Sequence, residues 1–204
     1  IRDPQVPDGA DVLIMESTYG DRLHEPVVDS EKALERIVTS TYRRGGKIII
    51  PAFAVGRTQQ LVHTLHQLAV KGDIPRLPIY VDSPLAVNAT DVFRSHPECF
   101  DAEMKSFITQ LDGNRDPFGF DELIYTHSVD ESKSLNFLLQ PAVIISASGM
   151  METGRILHHL KNNIEDPRAT ILIAGWQAPD TLGRRLVDGE KEIRVFGDPY
   201  RVNA

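Results

Sequence analysis

Apolar residues in this chain fall into short unbroken runs separated by longer stretches with helical spacing. Runs at 12–15, 47–51, 78–82, 123–125, 142–146, 170–174 and 192–196 are of strand length, and solid apolar character predicts strands covered on both faces, as in a parallel sheet. In the first interval Leu34, Ile37, Val38 and Tyr42 line one side of a helix that Asp29 or Ser30 would cap and Gly45-Gly46 would stop. The next helix is predicted over 58–70, with Leu61, Val62, Leu65 and Leu68 inward and Gly72 at its end. Others are predicted over 85–95, 103–111, 131–139, 152–164 and 181–186. Strands alternating with helices of this length build right-handed βαβ units, so the class is α/β with a mostly parallel sheet flanked by helices. The stretch 112–120, with Gly113, Pro117 and Gly119, reads as an ordered surface loop.

Composition narrows the class further. A length of 204 residues suits one ordinary domain, and 41% hydrophobic with 25% charged residues suits a soluble one. No apolar run approaches the roughly 18 residues of a membrane span, and the basic-then-apolar pattern of a signal peptide is missing. Cys99 is the single cysteine, which rules out an internal disulfide and points to a reducing, cytoplasmic compartment. A net charge of −7 argues against a domain that coats nucleic acid over its whole surface, though not against a local basic groove. Opening on Ile1 and closing on Val202-Asn203-Ala204 without a final helix, the sequence reads as a piece of something larger.

Ligands of open parallel sheets bind beyond the carboxyl ends of the strands, and there the polar chemistry gathers. Glu16 follows the run 12–15 and opens the loop Glu16-Ser-Thr-Tyr-Gly20; an acid in that place either has a cationic, metallic or hydrogen-bonding partner or faces water. Pro51-Ala-Phe-Ala-Val-Gly-Arg-Thr-Gln-Gln60, Ser146-Ala-Ser-Gly-Met-Met-Glu-Thr-Gly-Arg155 and Gly175-Trp-Gln-Ala-Pro-Asp-Thr-Leu-Gly-Arg-Arg185 follow other strands. Each combines glycines with hydroxyls, amides or arginines at a helix start, a corner suited to phosphate. Arg57, Arg155, Arg184 and Arg185 could add bidentate contacts.

Familiar motifs fail. Gly149 and Gly154 have Walker A spacing, but Arg155-Ile156 stands where Lys-Ser/Thr is needed. No G-x-G-x-x-G follows the first strand and no G-x-S-x-G is present. His63 and His66 lack the acid of H-E-x-x-H and read as a solvated helix face. His158 and His159 lie about 100° apart on a helix and cannot easily share an ion, so one is expected to pack inward. His24, in a loop with Asp21 and Glu25, is weak as a ligand, and His96 and His127 have no nameable partner.

Taken in order, Glu16-Ser-Thr-Tyr-Gly20, Pro51-Ala-Phe-Ala-Val-Gly-Arg57, Tyr80-Val-Asp-Ser-Pro-Leu-Ala86, Asp116-Pro-Phe118, Glu131-Ser-Lys-Ser-Leu-Asn136, Ser148-Gly-Met-Met-Glu-Thr-Gly154 and Thr181-Leu-Gly-Arg-Arg185 resemble the β-CASP subgroup of metallo-β-lactamase-fold nucleases. That group includes the cleavage and polyadenylation endonuclease and ribonuclease J. The resemblance implies a Rossmann-like three-layer β-CASP domain over 21–190, a strand of the metallo-β-lactamase domain within 1–20, and the return into that domain over 191–204. It implies RNA phosphodiester hydrolysis by the intact protein, with two zinc ions held through an H-x-H-x-D-H motif that this chain lacks. No metal ligand is therefore expected here, nor hydrolysis by the chain alone. A Ser-Ala-His motif would follow the chain. Glu16 matches the first family motif, the acid beside the metals, and is the catalytic candidate. Arg57, Ser146, Ser148, Gln177, Thr181 and Arg184 are the candidates for contact with single-stranded RNA, and Phe53, Tyr19 and Trp176 for base stacking or core packing. Partners implied are RNA, the metallo-β-lactamase domain and a second copy in a homodimer. A nucleotide-binding transferase domain and a non-catalytic protein-interaction module remain alternatives.

Overall fold

The computed structural model describes residues 6–21, 23, 27–111, 113 and 115–204. Strands β1 (Ile48–Pro51), β2 (Ile79–Asp82), β3 (Leu123–Tyr125), β4 (Val143–Ser146) and β5 (Thr170–Ile171) form one sheet in the order β3-β2-β4-β1-β5. Every pairing in it is parallel. The period-2 alternation of strands divides their side chains between two helical layers. Ile48, Ile50, Ile79, Val81, Val143 and Ile145 face a cluster with Leu34 and Val38 of α1 (Val27–Arg43), Leu61, Val62, Leu65 and Leu68 of α2 (Arg57–Lys71) and Ala86 of α3 (Pro84–Ser95). Ile49 and Ile144 face the other cluster, with Ile156 and Leu160 of α6 (Ile156–Asn163). The sequence order explains the split: moving from β1 to β2 to β3 across the sheet, and then back through β4 to β5, right-handed crossovers must place their helices on opposite faces.

Helix ends follow local chemistry. Ser83 accepts the Ala86 N–H at the start of α3, and Asp101 accepts the Met104 N–H before α4 (Ala102–Gln110). Ser128 and Glu131 form a reciprocal capping box at α5 (Val129–Ser134). Between α3 and α4 the chain makes a 3-10 turn, Pro97–Cys99, on which Cys99 is exposed. After α7 (Leu182–Val187), β6 (Glu192–Val195) and β7 (Asp198–Arg201) form an antiparallel hairpin whose Ile193 and Val195 pack on α6.

Several expectations change. Residues 12–15 form no strand: Val12, Leu13, Ile14 and Met15 are solvent-exposed, Ile14 at 93%. A strand needs a neighbour to pair its backbone, and none of the described strands supplies one. The strand β5 ends early because the chain leaves the sheet after Leu172, whose N–H still donates to the Ile49 carbonyl at 2.9 Å. The β7 strand is additional to the apolar runs; Phe196 and Gly197, at φ 54° and 88°, make the tight turn that creates it. In α1, Thr41 rather than Tyr42 turns inward, and its hydroxyl meets that of Thr170 at 2.7 Å. The α1 helix begins at Val27, ahead of the expected cap. The helix expected over 131–139 breaks into α5 and a 3-10 turn, Leu135–Phe137. Nor is the described part of 112–120 merely surface: Phe118 is 2% exposed and belongs to the core.

A latch holds that loop. Arg94 donates to Asp116 at 2.9 Å and to the Phe118 carbonyl at 2.8 Å, and its guanidinium lies 5.2 Å from the centre of the Tyr125 ring. The Tyr125 hydroxyl donates to the same Phe118 carbonyl at 2.8 Å. Burial pushes the Tyr125 phenol up to about 12, with Arg94 opposing and Asp116 adding to the rise. A phenol harder to ionise folded than unfolded contributes stability that is complete below about pH 10 and is withdrawn as pH rises through the folded value. The tyrosinate absorbance of the protein minus that of Tyr125→Phe is expected to titrate near 12. A difference curve centred near 10 would contradict the latch.

Candidate functional site at the carboxyl rim

Register brings the ends of three strands side by side. Ser146 of β4 lies opposite Pro51 of β1 on one side and Asp82 of β2 on the other. The loops 52–56, 126–128, 147–155 and 172–181 therefore leave from one rim of the sheet. The chain runs from β4 into α6 on one face and from β1 and β2 into α2 and α3 on the other, so the direction of winding switches beside β4, the usual place for a ligand in such sheets.

The loops are stitched together. A Cβ on Gly149 would lie 3.0 Å from the Phe53 ring, so the 147–155 backbone rests on that ring. Gln177 donates to the Gly149 carbonyl at 3.1 Å, and the Gly183 N–H donates to Met150 O at 3.1 Å. Glu152 accepts the Leu182 N–H at 2.5 Å, placing a carboxylate at the first turn of α7. A Cβ on Gly183 would overlap Gln177 Oε1 at 1.7 Å; only glycine leaves that amide its seat. The 52–56 loop is fixed by Gln59, whose Oε1 accepts the Gly56 N–H at 2.7 Å while its amide donates to Thr90 at 2.9 Å.

Beneath the rim lies a charged centre that sequence reasoning missed. Alternation turns Asp82 toward α6, as it does Tyr80 and Ile144. Arg155 and His159, one turn apart at the start of α6, face it. Asp82 is wholly buried, and its carboxylate accepts from four side chains: Arg155 at 2.7 Å and Thr126 on Oδ1, His159 Nε2 at 2.6 Å and Ser132 at 2.6 Å on Oδ2. Burial alone would raise its pKa; the hydrogen bonds from His159, Ser132, Thr126 and Arg155 outweigh that and hold it well below the usual carboxylate range. Because the carboxylate only accepts, His159 Nε2 carries the proton. His159 Nδ1 is buried without a partner. The signal was present in the sequence: Asp82 ends an apolar run just as Glu16 does.

The sequence-derived candidates separate by their surroundings. Ser146 and Gln177 are buried at 1% and 5% exposure. The Ser146 hydroxyl donates to the Asp82 carbonyl at 2.8 Å, and the Gln177 amide faces the carbonyls of Gly149, Gly175 and Trp176. Both hold the rim together from within. Thr181 caps α7, accepting from Arg184 N–H at 3.2 Å and donating to Ala178 O at 2.7 Å. Three arginines are already paired: Arg155 with Asp82, Arg184 with Asp188 at 3.0 Å, and Arg185 with Glu190 at 2.7 Å. Arg57, among the described residues, bonds instead to a neutral amide, Gln60 Oε1 at 2.8 Å. Its charge, half-buried Ser148, and the exposed rings of Phe53 and Trp176 form the accessible part of the rim. Glu16 is exposed; its carboxylate accepts the Thr18 N–H at 2.9 Å, which lowers its pKa, and the loop closes on itself through Gly20 N–H to Ser17 O.

The histidine readings are partly corrected. His66 is not solvated: it is 4% exposed, stacks on Phe120 at 4.5 Å and bonds to the Pro117 carbonyl at 3.0 Å. His63 packs edge-on to Phe107. His159 is the inward member of its pair and His158 is exposed against Phe196. His24 and Glu25 lie outside the described residues. Among the described residues no group of three or more His, Cys, Asp or Glu could hold a metal ion. No helix of the described residues is long and apolar enough to cross a membrane.

Comparison with known proteins agrees with this geometry. The profile of the Beta-Casp domain family matches residues 58–186. The chain is 34% identical over 202 residues to Ribonuclease TTHA0252 of Thermus thermophilus, covering 99% of this chain and 46% of that protein. It is 37% identical over 193 residues to an RNase J-like protein of Methanocaldococcus jannaschii (93% and 42% covered), and 37% identical over 189 residues to Transcription termination factor FttA of Methanosarcina mazei (92% and 29%). The chain thus spans less than half the length of these relatives.

Proposed function

The chain belongs to the β-CASP domain family, and on that premise we propose that it forms the RNA-binding wall of a larger ribonuclease. The substrate would be single-stranded RNA, cut at its phosphodiester bonds in cytoplasmic RNA processing or decay. Two zinc ions, held by residues outside this chain, would supply the activated water and clamp the phosphate. Residues 1–20 and 191–204 would join the metallo-β-lactamase domain. The exposed apolar run 12–15 is what a strand without its sheet looks like, and its pairing would bring Glu16 beside the metals. Family membership and ribonuclease relatives support this reading.

One observation carries the binding role: glycine-hinged loops leave from a single rim that carries exposed Phe53 and Trp176, and Arg57 at the start of α2 has no acidic partner among the described residues. Arg57 would contact the sugar-phosphate backbone, with Ser148, Thr181 and a released Arg184 beside it, and the rings would stack on bases. Arg57→Ala in the full-length protein is expected to weaken RNA binding about tenfold and to reduce the salt slope of log Kd by about one. An unchanged salt slope in a fluorescence-anisotropy titration would remove Arg57 from the interface. The isolated 204-residue chain should show no metal-dependent hydrolysis and at most weak, salt-sensitive RNA binding. Robust cleavage by a contaminant-free preparation would overturn that assignment.

A further inference from the structure

We propose that Asp82 is the positioning residue of the 147–155 loop, gripping both of its stems so that the rim wall keeps one geometry. The role in RNA contact rests on the reading above; the grip itself does not.

The loop enters from Ser146, whose hydroxyl donates to the backbone carbonyl of Asp82 at 2.8 Å. It leaves through Arg155, which donates to the Asp82 carboxylate at 2.7 Å, and His159 one turn later donates to the other oxygen at 2.6 Å. One residue therefore holds the start and the end of a nine-residue excursion through separate atoms. The loop closes on itself between those points: Ile156 N–H donates to Ala147 O at 3.2 Å, and Ser148 N–H donates to Thr153 O at 3.1 Å. Met151 plugs it into the core at 0% exposure. Gly154, at φ +89°, has only 2.4 Å from a would-be Cβ to Ala147 O, so the closing turn leaves no room for a side chain there. The apex of the loop is tied to the 172–181 loop and α7, and its strand-side stems to Asp82. Releasing the stems would let Ser148 and Gly149 slide over the Phe53 ring on which Gly149 rests.

The carboxylate is suited to the task. Four donors saturate it, and Arg155, whose side chain is 20% exposed, supplies the compensating charge where the loop meets the rim. Arg155 also reaches toward the His127 carbonyl at 3.4 Å, coupling the 126–128 loop to the same point. Ser132 and Thr126 approach from the β3–α5 side, so the grip is braced from a second part of the chain as well.

The test uses the full-length protein with Asp82→Asn and, since that variant could fail to fold, Arg155→Met, which leaves Asp82 with His159, Ser132 and Thr126. Hydrogen exchange followed by mass spectrometry should show the amides of 147–155 exchanging about 10- to 100-fold faster in either variant, with β1 and β4 changed less than about threefold. With a single-stranded RNA oligomer, KM should rise about tenfold while kcat stays within about twofold, and Arg155→Lys should recover most of the loss. Equal acceleration in the loop and in β1 and β4 would make Asp82 an ordinary stabilising residue and overturn the proposal. So would a loosened loop with an unchanged KM. If the unmodified protein neither binds nor cleaves RNA, the functional reading fails while the exchange arms still decide the grip.

Discussion

Asp82→Ala will unfold with a stability about 3–5 kcal/mol below that of the unmodified chain, the cost of breaking a buried ion pair from one side. The loss follows from what is left behind. Arg155 keeps a charge with its partner gone, and His159, already carrying an unpartnered Nδ1, would have neither ring nitrogen bonded. Ser132 and Thr126 lose their acceptor as well. Acid response should change with it. The folded carboxyl is depressed below its ordinary range, so its stabilisation is complete above the unfolded value of about 4 and is withdrawn as pH falls below it. The unmodified protein should lose stability steeply on that limb, and Asp82→Ala should show a flatter one. Urea melts across the acid range measure both. Parallel limbs would mean that the carboxylate does not carry the charge assigned to it.

Gly46→Ala is expected to cost about 3 kcal/mol or more, since a methyl there must displace backbone and not a flexible side chain. A Cβ on Gly46 would stand 1.8 Å from the Arg168 carbonyl oxygen and 2.3 Å from its carbon. The segment 168–170 would have to retreat, pulling on the Thr170 N–H bond to Lys47 O at 2.9 Å and on the Thr41–Thr170 hydroxyl pair at 2.7 Å. Gly45 makes a sharp control. It sits at φ +73° with nothing within 4 Å of a would-be Cβ, so alanine there costs only the left-handed conformation, about 1–2 kcal/mol. Two adjacent glycines of one helix terminus thus separate a conformational need from a need for close approach. Equal melting temperatures for the two variants would refute the contact.

Both glycines were legible in sequence only as a stop signal, and that is representative. β1 and β4 could be read because four buried residues in a row leave few alternatives, and β1, β2, β3 and β4 lie where the apolar runs put them. Parallel pairing followed from the intervening helices. The run 12–15 has the same signature and forms no strand, because periodicity reports what a segment could bury and not whether a partner is present. The helical spacing starts α6 four residues early: Glu152 and Thr153 suit a helix end, but positive φ at Met151 and Gly154 holds the chain in a closed turn until Arg155. At the rim, hydroxyls and amides were readable as polar corner residues but not by their direction. Ser146 and Gln177 point inward, and Arg184 is claimed by Asp188, because a side chain's partner is set by neighbours distant in sequence. His66 lies four residues after Val62 on the apolar stripe of α2 and was open to a better reading.

The α3 helix starts at the rim with Pro84 and carries the chain away from it for twelve residues, about 18 Å. At the far end the exposed 3-10 turn presents Cys99, the sole thiol. A maleimide dye or spin probe attached there would label this chain at one site away from the rim, so docking of a nucleic acid or a neighbouring domain could be followed by energy transfer or dipolar distance without altering the surface under study.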